Sequence, residues 1–148
     1  MTGASSSEHH DVCVFCDDSP DREQLVLIRG PLSYVILNKF PYNNGHLMVA
    51  PLRHIATLAA TTEEERIELM RFTRHAEIAL GEAYIPQGVN VGINLGRPAG
   101  AGIVDHLHIH VVPRWNGDNA FISVVGDTRV LPEALETTYD RLKGRLGD

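Results

Sequence analysis

The segment "DHLHIHVVPRW", residues 105–115, sets histidines at 106, 108 and 110 with Leu107 and Ile109 between them. Alternation at every second position is the side-chain period of a β-strand, and Leu, Ile and Val suit a pleated, half-buried surface. The spacing therefore predicts a strand with His106, His108 and His110 on one face and Leu107, Ile109 and Val111 turned into a core. With 8 histidines in 148 residues, chance supplies only about 0.02 such triples. Two chemistries use imidazoles arranged this way: metal chelation by neutral rings, and proton transfer or nucleophilic attack near neutral pH. Spacing alone does not choose between them.

The flanking sequence supplies the frame. "QLVLIRG" (24–30) and "LSYVILN" (32–38) read as strands joined at Gly30-Pro31, and "HLMVAP" (46–51) as a third strand stopped by Pro51. "TTEEERIELMRFTRHAEIALGEAY" (61–84) reads as a helix ended by Pro86. Thr61 or Thr62 can cap it, with Glu64 or Glu65 three residues on, and Leu69, Phe72, Ala76, Ala79, Leu80 and Ala83 form its apolar stripe. "VNVGINL" (89–95) is a fourth strand, the histidine segment a fifth, and "LPEALETTYDRLKGRL" (131–146) a last helix starting near Pro132. This order predicts an α+β fold: a mainly antiparallel five-stranded sheet with one long helix and a C-terminal helix. Residues 1–11 are polar and read as a mobile start to a single domain over 12–148.

A net charge of −6 argues against a broad nucleic-acid-binding surface, so an anionic ligand needs a local pocket. No apolar run approaches a membrane span, and "MTGASSSEHHDV" lacks the order of a secretion signal; the expectation is a cytoplasmic protein with no membrane partner. "GRPAGAG" (96–102) is a flexible connection or, beside Arg97 and the histidines, a set of backbone amides for an oligophosphate. Imidazole can attack phosphorus to give a phosphoramidate, and the middle histidine, flanked on both sides, is the natural nucleophile. Cys13 and Cys16, spaced Cys-x-x-Cys, fit a metal pair, a redox pair or two inert core thiols.

"HLHIHVV" is similar to the His-x-His-x-His-x-x signature of the histidine-triad (HIT) superfamily of nucleotide hydrolases and transferases. "NGHLMVAPLRHI" (44–55) resembles the family's Gly-His-apolar-Val-x-Pro-x-x-His segment, and "CVFC" the Cys-x-x-Cys of its zinc-containing members. "AGAGIVDHLHIHVVPRWNGDNAF" resembles the branch holding bacterial diadenosine tetraphosphate phosphorylases and related dinucleoside polyphosphate hydrolases. The likeness runs from about Cys13 to Phe121.

The resemblance implies cleavage of dinucleoside polyphosphates through a nucleotidyl-histidine, with water or phosphate as acceptor. His108 would be the nucleophile, His110 would bind the scissile phosphate and serve the leaving group, and His46 would belong to the supporting network. Asn38 stands where the family usually has a ribose-binding carboxylate, and Asn94 at its phosphate-contact asparagine. Gly102 and Ile103 stand where other branches have Gln-Ser or Gln-Thr, leaving the backbone amides of Gly100, Ala101 and Gly102 to hold the leaving phosphate. A structural zinc on Cys13, Cys16, His54 and His106 and a homodimer joined sheet edge to sheet edge are also implied. Phosphoramidate hydrolysis, a non-catalytic nucleotide-binding adaptor and a metal-dependent hydrolase are the alternatives. His75 reads as a surface or boundary residue, Trp115 as packing or as a cleft border, and Lys39, Arg53 and Arg97 as solvated charges or polyphosphate partners.

Overall fold

The structure, a computed structural model, describes residues 13–97, 105–118 and 132–146. The first eleven residues and Gly100, Ala101 and Gly102 lie outside the described residues.

Among the described residues, segments rich in Val, Ile and Leu form five strands: β1 (Val26–Arg29), β2 (Ser33–Leu37), β3 (Leu47–Pro51), β4 (Gly88–Ile93) and β5 (Ile109–Arg114). All pair antiparallel in the order β1-β2-β3-β5-β4. Every residue of β2 and β3 is buried, because both faces of the central sheet are covered. On one face Val35, Leu37, Leu47, Val49, Ile109 and Val111 meet Leu69, Phe72, Ala76 and Leu80 of the long helix α2 (Glu63–Tyr84). On the other, Tyr34, Ile36, Met48 and Ala50 pack with Phe15. The period-2 alternation thus gives the histidines the face opposite the helix.

Thr62 starts α2 with a capping box: its hydroxyl accepts from Glu65 N–H (3.1 Å), and the Glu65 carboxylate accepts from Thr62 N–H (2.8 Å). Glu68, buried, reaches from α2 to the β1–β2 turn, where it accepts from Leu32 N–H (2.9 Å) and Ser33 Oγ–H (2.6 Å). That clamp needs a glycine at 30, since a Cβ there would fall 2.7 Å from Glu68 Oε2 and 2.8 Å from Phe72 Cζ.

Several boundaries differ from the sequence expectation. A short helix, α1 (Asp21–Gln24), takes the first residue assigned to β1, and Leu25 leaves it in the left-handed region (φ 69°). The histidine strand begins only at Ile109. His106, at a bend, and His108 lie in the approach to it, where Leu107 N–H bonds Ile55 O (2.7 Å) instead of a strand neighbour. The last helix, α3, is Leu135–Leu142, shorter than 131–146: no side chain caps its start at Ala134, and Gly144 (φ 92°) follows its end. Its Tyr139 hydroxyl and Lys143 ammonium donate to the carbonyls of Val26 and Leu27. His75 is buried on α2, not at the surface, and its Nδ1 has no hydrogen-bond partner among the described residues.

Gly30→Ala is expected to lower unfolding free energy by about 1–3 kcal/mol through overpacking against Glu68 and Phe72. Urea denaturation reads it, and an unchanged midpoint and slope would contradict the clamp.

Candidate active site and metal centre

The four residues expected to hold a metal converge. The turn from Cys13 to Cys16, closed by Cys16 N–H to Cys13 O (3.1 Å), brings both thiols to His54 and to His106. The Cys13 sulfur is 3.6 Å from His54 Nδ1 and 3.5 Å from His106 Nδ1; for Cys16 the distances are 3.2 and 3.5 Å. The two Nδ1 atoms are 3.2 Å apart. Ligands on a tetrahedral zinc, at about 2.3 Å for sulfur and about 2.05 Å for nitrogen, stand roughly 3.3–3.8 Å from one another. The donor set and its spacing fit that ion without rearrangement.

His106 is prepared for such a role by its other nitrogen. Nε2 lies 2.8 Å from Pro51 O; a carbonyl only accepts, so Nε2 carries the proton and Nδ1 presents a lone pair toward the thiols. Burial and the neighbouring charge of Cys13, with its hydrogen bond, push the Cys16 thiol up to about 11, and a bound cation reverses that bias.

The same logic fixes the other imidazoles. His108 Nδ1 lies 2.9 Å from His106 O, so it donates and Nε2 is left with a lone pair. Tyr42 N–H donates to His46 Nδ1 (3.1 Å), which leaves the proton of neutral His46 on Nε2. That Nε2–H donates to His110 Nδ1 at 2.8 Å, so neutral His110 carries its proton on Nε2. Burial, reinforced by the charges of His110 and His108, pushes His46 down to about 3, so it stays neutral near pH 7. Burial also lowers His106, His108 and His110 below the usual imidazole range.

His108 and His110 line a cavity of about 330 Å³ with apolar walls from Val14, Ile36, Phe40 and Met48. Asn38 lines it too, its Oδ1 accepting Phe40 N–H at 2.8 Å. A second cavity, about 550 Å³, holds Asn94 with Asn90 and Arg114. His110 and Tyr42 line both. The structure therefore brings His46, His108, His110 and Asn38 together, and sets Asn94 beyond His110.

Lys39 lines the first cavity, while Arg53 is engaged elsewhere by Glu65 (2.8 Å) and Ala60 O. Trp115 packs edge-on against Tyr84 (6.4 Å). Sequence reasoning missed Phe15, whose ring lies over both His106 (5.1 Å) and His108 (4.9 Å) while its carbonyl accepts from Tyr34 OH. It also missed Tyr42, whose ring covers His46 at 4.6 Å. The aromatic in Cys-Val-Phe-Cys was the available signal for the first; nothing local marks the second.

Residues 19–117 match the HIT domain family profile. AP-4-A phosphorylase of Mycobacterium tuberculosis is 48% identical over 118 residues, 80% of this chain and 60% of that protein, so the chain spans less than two thirds of that relative. The crystal structure of a zinc-bound histidine triad family protein from Mycobacterium smegmatis is 29% identical, covering 92% of this chain and 94% of its own at a TM-score of 0.71. A histidine triad nucleotide-binding protein from Sulfolobus tokodaii shares the fold at 22% identity and a TM-score of 0.71, over 90% and 91% of the two chains. With the profile extending from α1 through β5 and the three alternate histidines at its end, the chain belongs to the HIT domain family.

Proposed function

We propose that the protein is an enzyme that splits dinucleoside polyphosphates of the diadenosine tetraphosphate type through a nucleotide held covalently on His108. The observation that carries this reading is the fixed tautomer of His108: Nδ1–H is spent on His106 O, so the Nε2 lone pair belongs to the cavity side of the ring. Attack by Nε2 on phosphorus forms a P–N bond as the bond to the leaving polyphosphate oxygen breaks. The positive charge that develops on the ring is met by the carbonyl already bonded to Nδ1–H. His110 Nε2–H, oriented by His46, donates to a phosphate oxygen while remaining neutral. The polyphosphate leaves as an anion and needs no proton.

The two cavities meeting at His110 suit a substrate with two halves, one nucleoside beside Asn38 and the leaving half toward Asn94. In the second step an acceptor oxygen displaces His108, and the P–N electron pair returns to Nε2. We assign that acceptor as inorganic phosphate, in line with the name of the 48% identical relative; an anionic oxygen attacks without first losing a proton.

A zinc on Cys13, Cys16, His54 and His106 would be structural, supplying four bonds that tie the N-terminal turn to the sheet. Through that turn Phe15 lies against His108. The protein acts as a homodimer in this reading. Among the described residues β4 is an edge of the sheet, and Val91 on it is exposed together with Ile67, Met70 and Ile78 of α2.

Diadenosine tetraphosphate is expected to give ADP plus ATP only when phosphate is present, as read by mass spectrometry. His108→Asn is expected to lower kcat by about 10³-fold or more with the fold intact. Cleavage at the native rate by the Asn variant would remove His108 from the reaction, and AMP as the product irrespective of phosphate would make water the acceptor. The purified protein is further expected to carry about one zinc per chain, and chelation to lower its melting temperature. Metal analysis showing no zinc in protein purified without chelator would contradict the site.

A further inference from the structure

His46 and His110 share one hydrogen bond, between His46 Nε2 and His110 Nδ1, and two neutral imidazoles can fill it in two ways. In the first, each ring carries its proton on Nε2, and His110 turns an N–H to the cavities. In the second, each carries it on Nδ1, and His110 turns a lone pair there. The pair holds two protons in both. Asn38 Nδ2, at 3.4 Å from His46 Nε2 and oriented by the bond from Phe40 N–H to Oδ1, is a long, weak donor that leans toward the second. The Tyr42 N–H, 3.1 Å from His46 Nδ1, selects the first, since a hydrogen on that nitrogen would point at its own. The placement of one main-chain N–H therefore decides what His110 offers a phosphate.

Tyr42 is not held there by its own packing. Lys39, Phe40, Pro41 and Tyr42 are all exposed, Tyr42 at 70%. The next residue, Asn43, is tied down. Its Nδ2 donates to Pro113 O (3.0 Å) and to Asp118 Oδ2 (2.9 Å), which spends both hydrogens. Asp118 is fixed in turn by a two-pronged ion pair with Arg114 (2.9 and 2.8 Å) and by Trp115 N–H (2.8 Å). The Arg114 hydrogen bonds hold its carboxyl down to about 2, so it stays an acceptor. With two partners that only accept, the Asn43 amide cannot be turned over. Pro113 and Arg114 lie on β5, three and four residues beyond His110. The last β3–β5 pair is Leu47 with Val111, and beyond it Asn43 takes over the tie between the two sides. This latch and the His46–His110 bond thus span the same two pieces of chain. Asn44, whose Oδ1 accepts Glu133 N–H (2.9 Å), ties the loop to the C-terminal segment instead.

We infer that Asn43 is a positioning residue: clamped on Pro113 O and Asp118, it holds the Tyr42 N–H on His46 Nδ1 and thereby keeps the His110 N–H toward the cavities. With the clamp released, the loop is free to carry the Tyr42 N–H off His46, and both rings pass to the second arrangement. His110 then meets a phosphate oxygen with a lone pair. This inference rests on the catalytic reading above and names the residue that keeps His110 in its donating form.

Asn43 also lines the second cavity, so the deciding readout is taken without substrate. Nitrogen-15 NMR of histidine-labelled Asn43→Ala at pH 7 is expected to show at least about two thirds of His46 protonated on Nδ1, and kcat for diadenosine tetraphosphate to fall at least about threefold in proportion. A folded Asn43→Ala protein whose His46 keeps its proton on Nε2 would overturn the inference, because a purely structural asparagine lowers stability without moving that proton. Asn43→Ser, which keeps one donor, replaces the alanine variant if the latter fails to fold. If neither folds, hydrogen exchange in the wild-type protein decides: the Tyr42 amide and the Asn43 side-chain amide are expected to open together, with protection within about threefold of each other. A Tyr42 amide that opens while Asn43 stays protected would count against the latch. A shifted tautomer with cleavage at the native rate would sink the part given to His110 in the catalytic reading and leave this inference standing. An unshifted tautomer, whatever the rate of cleavage, would sink this inference alone.

Discussion

A backbone carbonyl can only accept a hydrogen bond and a backbone N–H can only donate one, and on that constraint the histidine cluster depends. Pro51 O takes the Nε2 proton of His106, His106 O takes the Nδ1 proton of His108, and Tyr42 N–H occupies Nδ1 of His46. Each neutral imidazole has one proton, so three main-chain groups decide which nitrogen is basic. The outcome is a lone pair toward the thiols at His106, a lone pair toward the cavity at His108, and an N–H toward the cavity at His110. Burial reinforces this by keeping the rings neutral.

The fold serves this arrangement by fixing the carbonyls. β3 ends at Pro51 and pairs with β5 through Leu47, Met48 and Val49, so Pro51 and the histidine segment come from neighbouring strands. The Leu107 amide bonded to Ile55 O holds the approach to β5 at the same end. Beneath, Ile109 and Val111 pack on α2, whose Glu65 and Glu68 tie it to the capping turn and to the β1–β2 turn. Above, Phe15 links the cysteine turn to the rings of His106 and His108. His106, a candidate metal ligand, and His108, the proposed nucleophile, thus share one short stretch of chain and one aromatic cover.

Much of this was legible in the sequence. Period-2 alternation anticipated the clustering of His106, His108 and His110, with Phe15 over the first two rings and His108 4.8 Å from His110, although the ladder itself starts only at Ile109. The stripe of α2 was legible because Leu69, Phe72, Ala76, Ala79 and Leu80 repeat at helical spacing and are all buried. His75 misled because its type suggests surface, while its position three residues after Phe72 puts it at the buried face. Cys13, Cys16, His54 and His106 are 93 positions apart at the extremes, so only a family likeness could assemble them before coordinates did. Tyr42 was invisible for a different reason: its role lies in a main-chain N–H, which has no sequence pattern.

The tautomers are the central claim, and nitrogen-15 NMR of histidine-labelled protein at pH 7 reads them directly through the couplings and shifts of each ring. His108 is predicted to be protonated at Nδ1 with a bare Nε2, and His46 and His110 to be protonated at Nε2 with bare Nδ1. A His108 ring carrying its proton on Nε2, or a doubly protonated His46, would contradict the account.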